Sequence, residues 1–171
     1  SAMVDGRDVL DFPLDVAPHE NIRDAIVTFT DRTQDLSGRI QDAMGRPTAD
    51  FTIIVFPTDT RYWLPRARRI ASTRPGTDGS FVFRDLPPGD YRLTAVTDVE
   101  PGEWYDPAFL AQLSPVSLPI TIREGEKKVI DYATVGDELA LLWMANMGCI
   151  DLHAWSSRAD IRNRCGMGSR C

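Results

Sequence analysis

Cysteine is missing from the chain until Cys149; Cys165 and Cys171 complete the set. A fold built before residue 149 therefore rests on its packed core and not on disulfides. If Cys165 and Cys171 pair, at least one thiol is left over. Three cysteines with His153 reach the ligand count of a zinc site, but their spacing fits no common zinc pattern. Histidine is as scarce, with only His19 and His153. Both lie outside residues 24–135, so nucleophilic catalysis of the triad type, which sets a base beside the nucleophile, has no candidate there. No apolar run approaches the roughly 18 residues of a membrane-spanning helix. An export signal is also absent. Ser1-Ala2-Met3 reads as the scar of a cleaved tag, which leaves the compartment open. Positive charge is in the minority: 19 Lys and Arg against 25 Asp and Glu give a net charge of -6. That balance disfavours a nucleic-acid footprint, which needs a clustered basic face.

What is present is ordinary for a globular protein, with 43% hydrophobic and 26% charged residues. Three zones follow one another. Residues 1–23, rich in Asp and Pro, read as a connector or the end of a preceding module. Residues 24–135 read as strands separated by turns. Residues 136–171 read as a helix followed by a basic, Cys-containing tail.

The middle zone is the informative one. Ala25–Thr30 carries Val27 and Phe29 at the period of a half-buried strand. Leu36–Ile40 alternates likewise, and Gly45 and Pro47 break the sheet after it. Phe51–Phe56 is the strongest strand, β-branched and aromatic throughout, and Pro57 ends it. Arg69–Thr73 is weaker. Thr77-Asp78-Gly79 is a hairpin signal. After it, Phe81 and Phe83 face one way. Beyond Leu86-Pro87-Pro88-Gly89-Asp90, Tyr91, Leu93 and Ala95 also share a side. Leu118–Ile122 and Lys127–Val135, joined by Glu124-Gly125-Glu126, complete seven or eight short strands. Crossover helices are lacking, so the expected fold is all-β, an antiparallel transthyretin- or immunoglobulin-like sandwich with a C-terminal helical extension. One short helix interrupts it, with Asp106 as N-cap and Pro107 at the first position, in a loop at one end of the sandwich.

Gly38-Arg39-Ile40, Gly45-Arg46-Pro47, Asp78-Gly79-Ser80-Phe81-Val82-Phe83 and Leu86-Pro87-Pro88-Gly89-Asp90-Tyr91-Arg92-Leu93-Thr94-Ala95 together resemble the carboxypeptidase regulatory-like domain family. The resemblance covers residues 35–135. It reads as two tight turns bracketing two paired strands. It implies a transthyretin-like, carbohydrate-binding-like sandwich without catalytic residues, an accessory domain of a larger exported or outer-membrane-associated bacterial protein. Residues 141–160 look like a short stretch of the polymerase region of bacterial ATP-dependent DNA ligase D. The Asp-x-Asp metal-binding pair of that family is missing beside them, so a polymerase cannot be built from the stretch.

Candidate chemistry is sparse. Asp59, Asp78, Asp98, Glu100, Glu103 and Asp106 offer loop carboxylates of the kind calcium takes, but none form the spaced loop of an EF-hand. Neither a metal site nor a cofactor is expected. The aromatic loops are the better candidates: Arg61, Tyr62 and Trp63 after the strongest strand, and Trp104 and Tyr105 before the short helix. Such rings bury large area with a polar tip and suit a protein or glycan partner. Alternatively, Trp63 and Trp104 cap the open end of the core. Arg61, Arg66, Arg68, Arg69 and Arg74 make a basic cluster, read as a solvated face or a partner patch and not as a nucleic-acid site. Helix 137–148 is apolar on nearly every side and must be buried, either on the sandwich or by self-association between chains.

Overall fold

A computed structural model describes residues 1–42 and 44–133. The helix expected over 137–148, the stretch 141–160, His153, the three cysteines and the basic tail lie outside the described residues.

Among the described residues, ten strands form three sheets. β1 (Ala2–Val4), β2 (Arg7–Asp8) and β3 (Ile26–Val27) make a small N-terminal sheet in the order β2-β1-β3. The sandwich proper begins with β4 (Asp35–Gln41) and β5 (Thr52–Pro57). It continues with β6 (Ala71–Thr73), β7 (Ser80–Arg84), β8 (Gly89–Val96), β9 (Leu118–Ile122) and β10 (Lys127–Ala133). Its two sheets run β10-β4-β7 and β6-β5-β8-β9.

The period-2 pattern sets which side chains meet between the sheets. Leu36 and Ile40 of β4, Phe81 and Phe83 of β7, Tyr91, Leu93 and Ala95 of β8, and Ile120 and Ile122 of β9 all enter one buried cluster with Ile53 and Val55 of β5. Val82, between the two phenylalanines, is 42% exposed, as alternation requires.

Several local expectations change. The strand expected over 25–30 is two residues long, and Ile26 and Val27 are exposed and pair with β1 outside the sandwich. Residues 74–79 are not a hairpin turn: β6 pairs with β5 and β7 with β4, so this segment crosses between the sheets. The crossing turn still needs Gly79, whose φ is +73° and whose amide donates to Gly76 O at 2.8 Å. The turn at 86–90 crosses too, since β8 pairs with β5 and β9, so the two motif strands lie in different sheets. One pair in the sandwich is parallel, β10 beside β4, because Arg123–Glu126 carries the chain from the edge of one sheet onto the other. Gly38 permits that approach, as a Cβ there would collide with Ile130 O and the Phe81 ring.

Candidate functional site

β5 is buried at every position. Since side chains alternate, both faces of its sheet are covered. Ile53 and Val55 face the sandwich core. Ile54 and Phe56 face outward into a second cluster with Val96 of β8, Trp63, Ile70, Leu110 and Leu113. That cluster is a third layer laid over the sheet by two segments, residues 58–70 and 99–113.

The first segment starts with Asp59. Its carboxylate accepts from Arg61 N at 3.0 Å and caps a 3-10 turn, Thr60–Tyr62. The turn drives Trp63 inward, where it is 9% exposed. Its Nε1 donates to Pro57 O at 2.8 Å, and its ring meets Phe56 edge-on at 5.9 Å. Trp63, offered from the sequence as a contact ring or as a cap, packs inward. It covers the outer face of the sheet and not the end of the sandwich core.

The second segment begins with a 3-10 turn, Glu103–Tyr105, and passes into α1 (Pro107–Leu113). Asp106 Oδ1 accepts from Ala108 N at 2.9 Å with Pro107 in the first turn, the cap expected from the sequence. Leu110 and Leu113, three apart, share the buried stripe of the helix. Arg92 of β8 donates from Nη1 to Ser114 O at 2.7 Å and ties down the end of α1. The helix lies over the four-stranded sheet and not at one end of the sandwich, because its apolar stripe and that of Ile54 and Phe56 cover each other. Trp104 and Tyr105 are half-buried against the same layer, their ring centroids 6.2 Å apart.

Arg61 and Tyr62 go elsewhere. Arg61 is exposed and forks onto Asp59, with Nη2 to Oδ2 at 2.6 Å. Hydrogen bonds from Arg61 hold the Asp59 carboxyl below its ordinary range. The Tyr62 ring lies 5.1 Å from that of Phe12, tilted by 31°, and the Arg69 guanidinium lies 4.6 Å from its centre. The five candidate residues thus divide three ways: Trp63 in the core, Tyr62 and Arg61 on one loop, Trp104 and Tyr105 on the other.

A second constellation escaped the sequence reading. The side chain of Asp11, 4% exposed, sits between two arginines of the basic cluster. Arg68 Nε donates to Oδ1 at 2.7 Å and Nη2 to Oδ2 at 2.9 Å, while Arg69 Nε donates to Oδ2 at 3.0 Å. Arg68 also reaches Asp8 at 3.1 Å. Burial alone would raise the Asp11 carboxyl; the hydrogen bonds and charges of Arg68 and Arg69 outweigh it and hold the pKa below the ordinary value. Arg69 Nη1 continues to Pro88 O at 3.0 Å and to Tyr91 Oη at 3.3 Å. Tyr91 Oη in turn donates to Pro87 O at 2.6 Å. Burial pushes the Tyr91 phenol up to about 12 against the opposing pull of Arg69. Arg68 and Arg69, read from the sequence as part of a solvated face or a partner patch, turn onto the N-terminal segment. The residues between Asp11 and the arginines carry no periodic signal that would pair them. Two adjacent arginines downstream of an Asp-x-x-Asp stretch are the clue available in the sequence.

Among the described residues, no group of three or more His, Cys, Asp or Glu side chains is placed to hold a metal ion, and no helix is long and apolar enough to cross a membrane. His19 is exposed.

Residues 35–104 match the model of the carboxypeptidase regulatory-like domain. No curated protein matches the chain. Similar solved structures include a streptococcal ancillary pilin, 12% identical with a TM-score of 0.42 over 61% of this chain and 33% of that one. The Bacillus anthracis TIE protein is 12% identical with a TM-score of 0.37, covering 60% of this chain and 16% of that one. Catechol 1,2-dioxygenase from an Acinetobacter species is 12% identical with a TM-score of 0.37, covering 60% and 52% respectively. The chain thus spans well under two thirds of each of these three proteins.

Proposed function

We propose that this chain, whose residues 35–104 match the carboxypeptidase regulatory-like domain model, works as a non-catalytic accessory module of a larger exported bacterial protein, contacting a protein partner through Trp104 and Tyr105. The observation that carries the reading is the division of the loop aromatics. Trp63 is closed into the third layer by Phe56 and Pro57 O, whereas Trp104 and Tyr105 rest on that layer half-buried. Large rings anchored by their inner edges present rigid apolar area at small entropic cost, the property of interface anchors. Export follows from what the family implies.

A glycan site on the same two rings is the alternative occupant. Titrating the chain with soluble polysaccharides while following tryptophan emission separates the two. A protein-contact face leaves the emission unchanged. A saturable change that disappears in Trp104→Ala assigns the rings to a glycan instead.

A further inference from the structure

Arg68, Arg69 and Tyr62 make a surface built to hold a carboxylate segment before any segment arrives. Arg69 is anchored from within the sandwich by Pro88 O and Tyr91 Oη. Tyr62 is fixed by the turn that Asp59 caps. With the arm in place the Arg69 side chain is only 14% exposed, so a neutral side chain at the position of Asp11 would leave a charge there partly removed from water and unpaired. Charge-assisted and bidentate contacts favour a carboxylate there, and Tyr62 offers a ring face for an adjacent aromatic. The occupant in this chain is one short stretch: Asp8 and Asp11 on the arginines, Phe12 on Tyr62.

That stretch belongs to a unit with its own hydrogen bonds. β1 pairs with β2 and β3, Val9 N donates to Ala2 O at 2.8 Å, and Thr28 N donates to Ser1 O at 2.9 Å. Residues 28–34 link the unit to β4, a span that reaches roughly 24 Å when extended. The unit also leaves apolar surface uncovered. Among the described residues, seven of the eleven exposed large apolar side chains fall between Leu10 and Phe29, with Phe29 itself 90% exposed. Apolar surface left open on that unit is available to a second chain.

We propose that Arg68, Arg69 and Tyr62 form a docking site for an Asp-x-x-Asp-Phe segment, filled within one chain by Asp8–Phe12 and between chains by the same segment of a second copy. Exchange of this kind keeps every contact and changes only which chain supplies it, so it needs a pliable link and little else. The proposal does not rest on the reading of Trp104 and Tyr105.

Two variants of the 171-residue chain test it. Asp8→Asn with Asp11→Asn removes the two carboxylates of the arm and leaves the arginines without an anion of their own chain. Arg68→Glu with Arg69→Glu removes the site and leaves the arm unmatched. The two are labelled with a donor and an acceptor dye, mixed, and followed by energy transfer. A donor–acceptor pair made of the first variant alone sets the background. The mixture is expected to associate at least about tenfold more tightly than that background. Circular dichroism checks each fold. Should the double glutamate variant not fold, Arg68→Glu alone replaces it, since Arg68 is 34% exposed. Association no tighter than the background, with both variants folded, overturns the proposal.

Discussion

Asp11 Oδ1 accepts from Arg68 Nε at 2.7 Å across 57 residues of sequence. Removing the carboxylate leaves two partly buried guanidinium groups facing each other. Asp11→Ala is expected to cost about 1–3 kcal/mol in urea unfolding, the range for an uncompensated buried hydrogen-bonding partner. Amide exchange in β1 and β2 should rise more than in β5 and β8, because the arm loosens before the sandwich does. Equal acceleration throughout would contradict a local clamp.

The same contact sets an acid limit. Asp11 titrates below its ordinary value in the folded chain. The unfolded chain therefore binds the proton first as pH falls. The clamp contributes in full above the unfolded value, near about 4. Its contribution fades as pH drops from there through the lower folded value. Arm release followed by exchange in β1 should begin below about pH 4 and be absent at neutral pH. In Asp11→Asn, arm exchange is already fast at neutral pH and this acid step is lost.

Tyr91 gives the opposite sign. Its folded pKa is pushed up from 10.0 to about 12. The unfolded phenol ionises first as pH rises, so stability present below pH 10 declines between the two values. The ultraviolet phenolate signal should show one tyrosine titrating late and coincident with loss of structure. Absence of a late-titrating tyrosine would show that Tyr91 is not enclosed.

The strands were legible where one periodicity governs them. Phe81 and Phe83, or Tyr91, Leu93 and Ala95, announce a buried face by alternation alone, and Asp106-Pro107 announces a helix start. Neither the crossing of the chain between sheets at 74–79 nor the parallel pairing of β10 with β4 is local, and turn residues read the same in a hairpin and in a crossing. The third layer was legible in principle. Ile53-Ile54-Val55-Phe56 is apolar without alternation, which says that both faces are covered, and Val99, Trp104, Leu110 and Leu113 were available to cover the second. The arm clamp rests on single residues far apart in the chain, with no period to link them.

Trp63 and Trp104 should separate by stability. Trp63→Ala opens a cavity under Phe56 and orphans Pro57 O, a loss of about 3–5 kcal/mol. Trp104→Ala removes a half-buried ring and should cost roughly half as much or less. Comparable losses in urea unfolding would place Trp104 in the core as well and remove it as a contact residue.

Gly38→Ala puts a methyl group against Ile130 O and the Phe81 ring. β10 must move away from β4, at a cost of about 1–3 kcal/mol. The shift in the urea midpoint measures it, and exchange in β10 should rise more than in β7. An unchanged midpoint would mean that β10 does not lie where the parallel pairing puts it.

The relationship between the arm and its two arginines is tested most directly with a peptide of residues 5–15, titrated calorimetrically into the 171-residue Asp8→Asn/Asp11→Asn chain. The arginines, freed of their own carboxylates, should bind the peptide saturably at one to one, and the peptide with both aspartates replaced by asparagine should bind at least about tenfold more weakly. No binding, or equal binding of the two peptides, would contradict a carboxylate-reading site at Arg68 and Arg69.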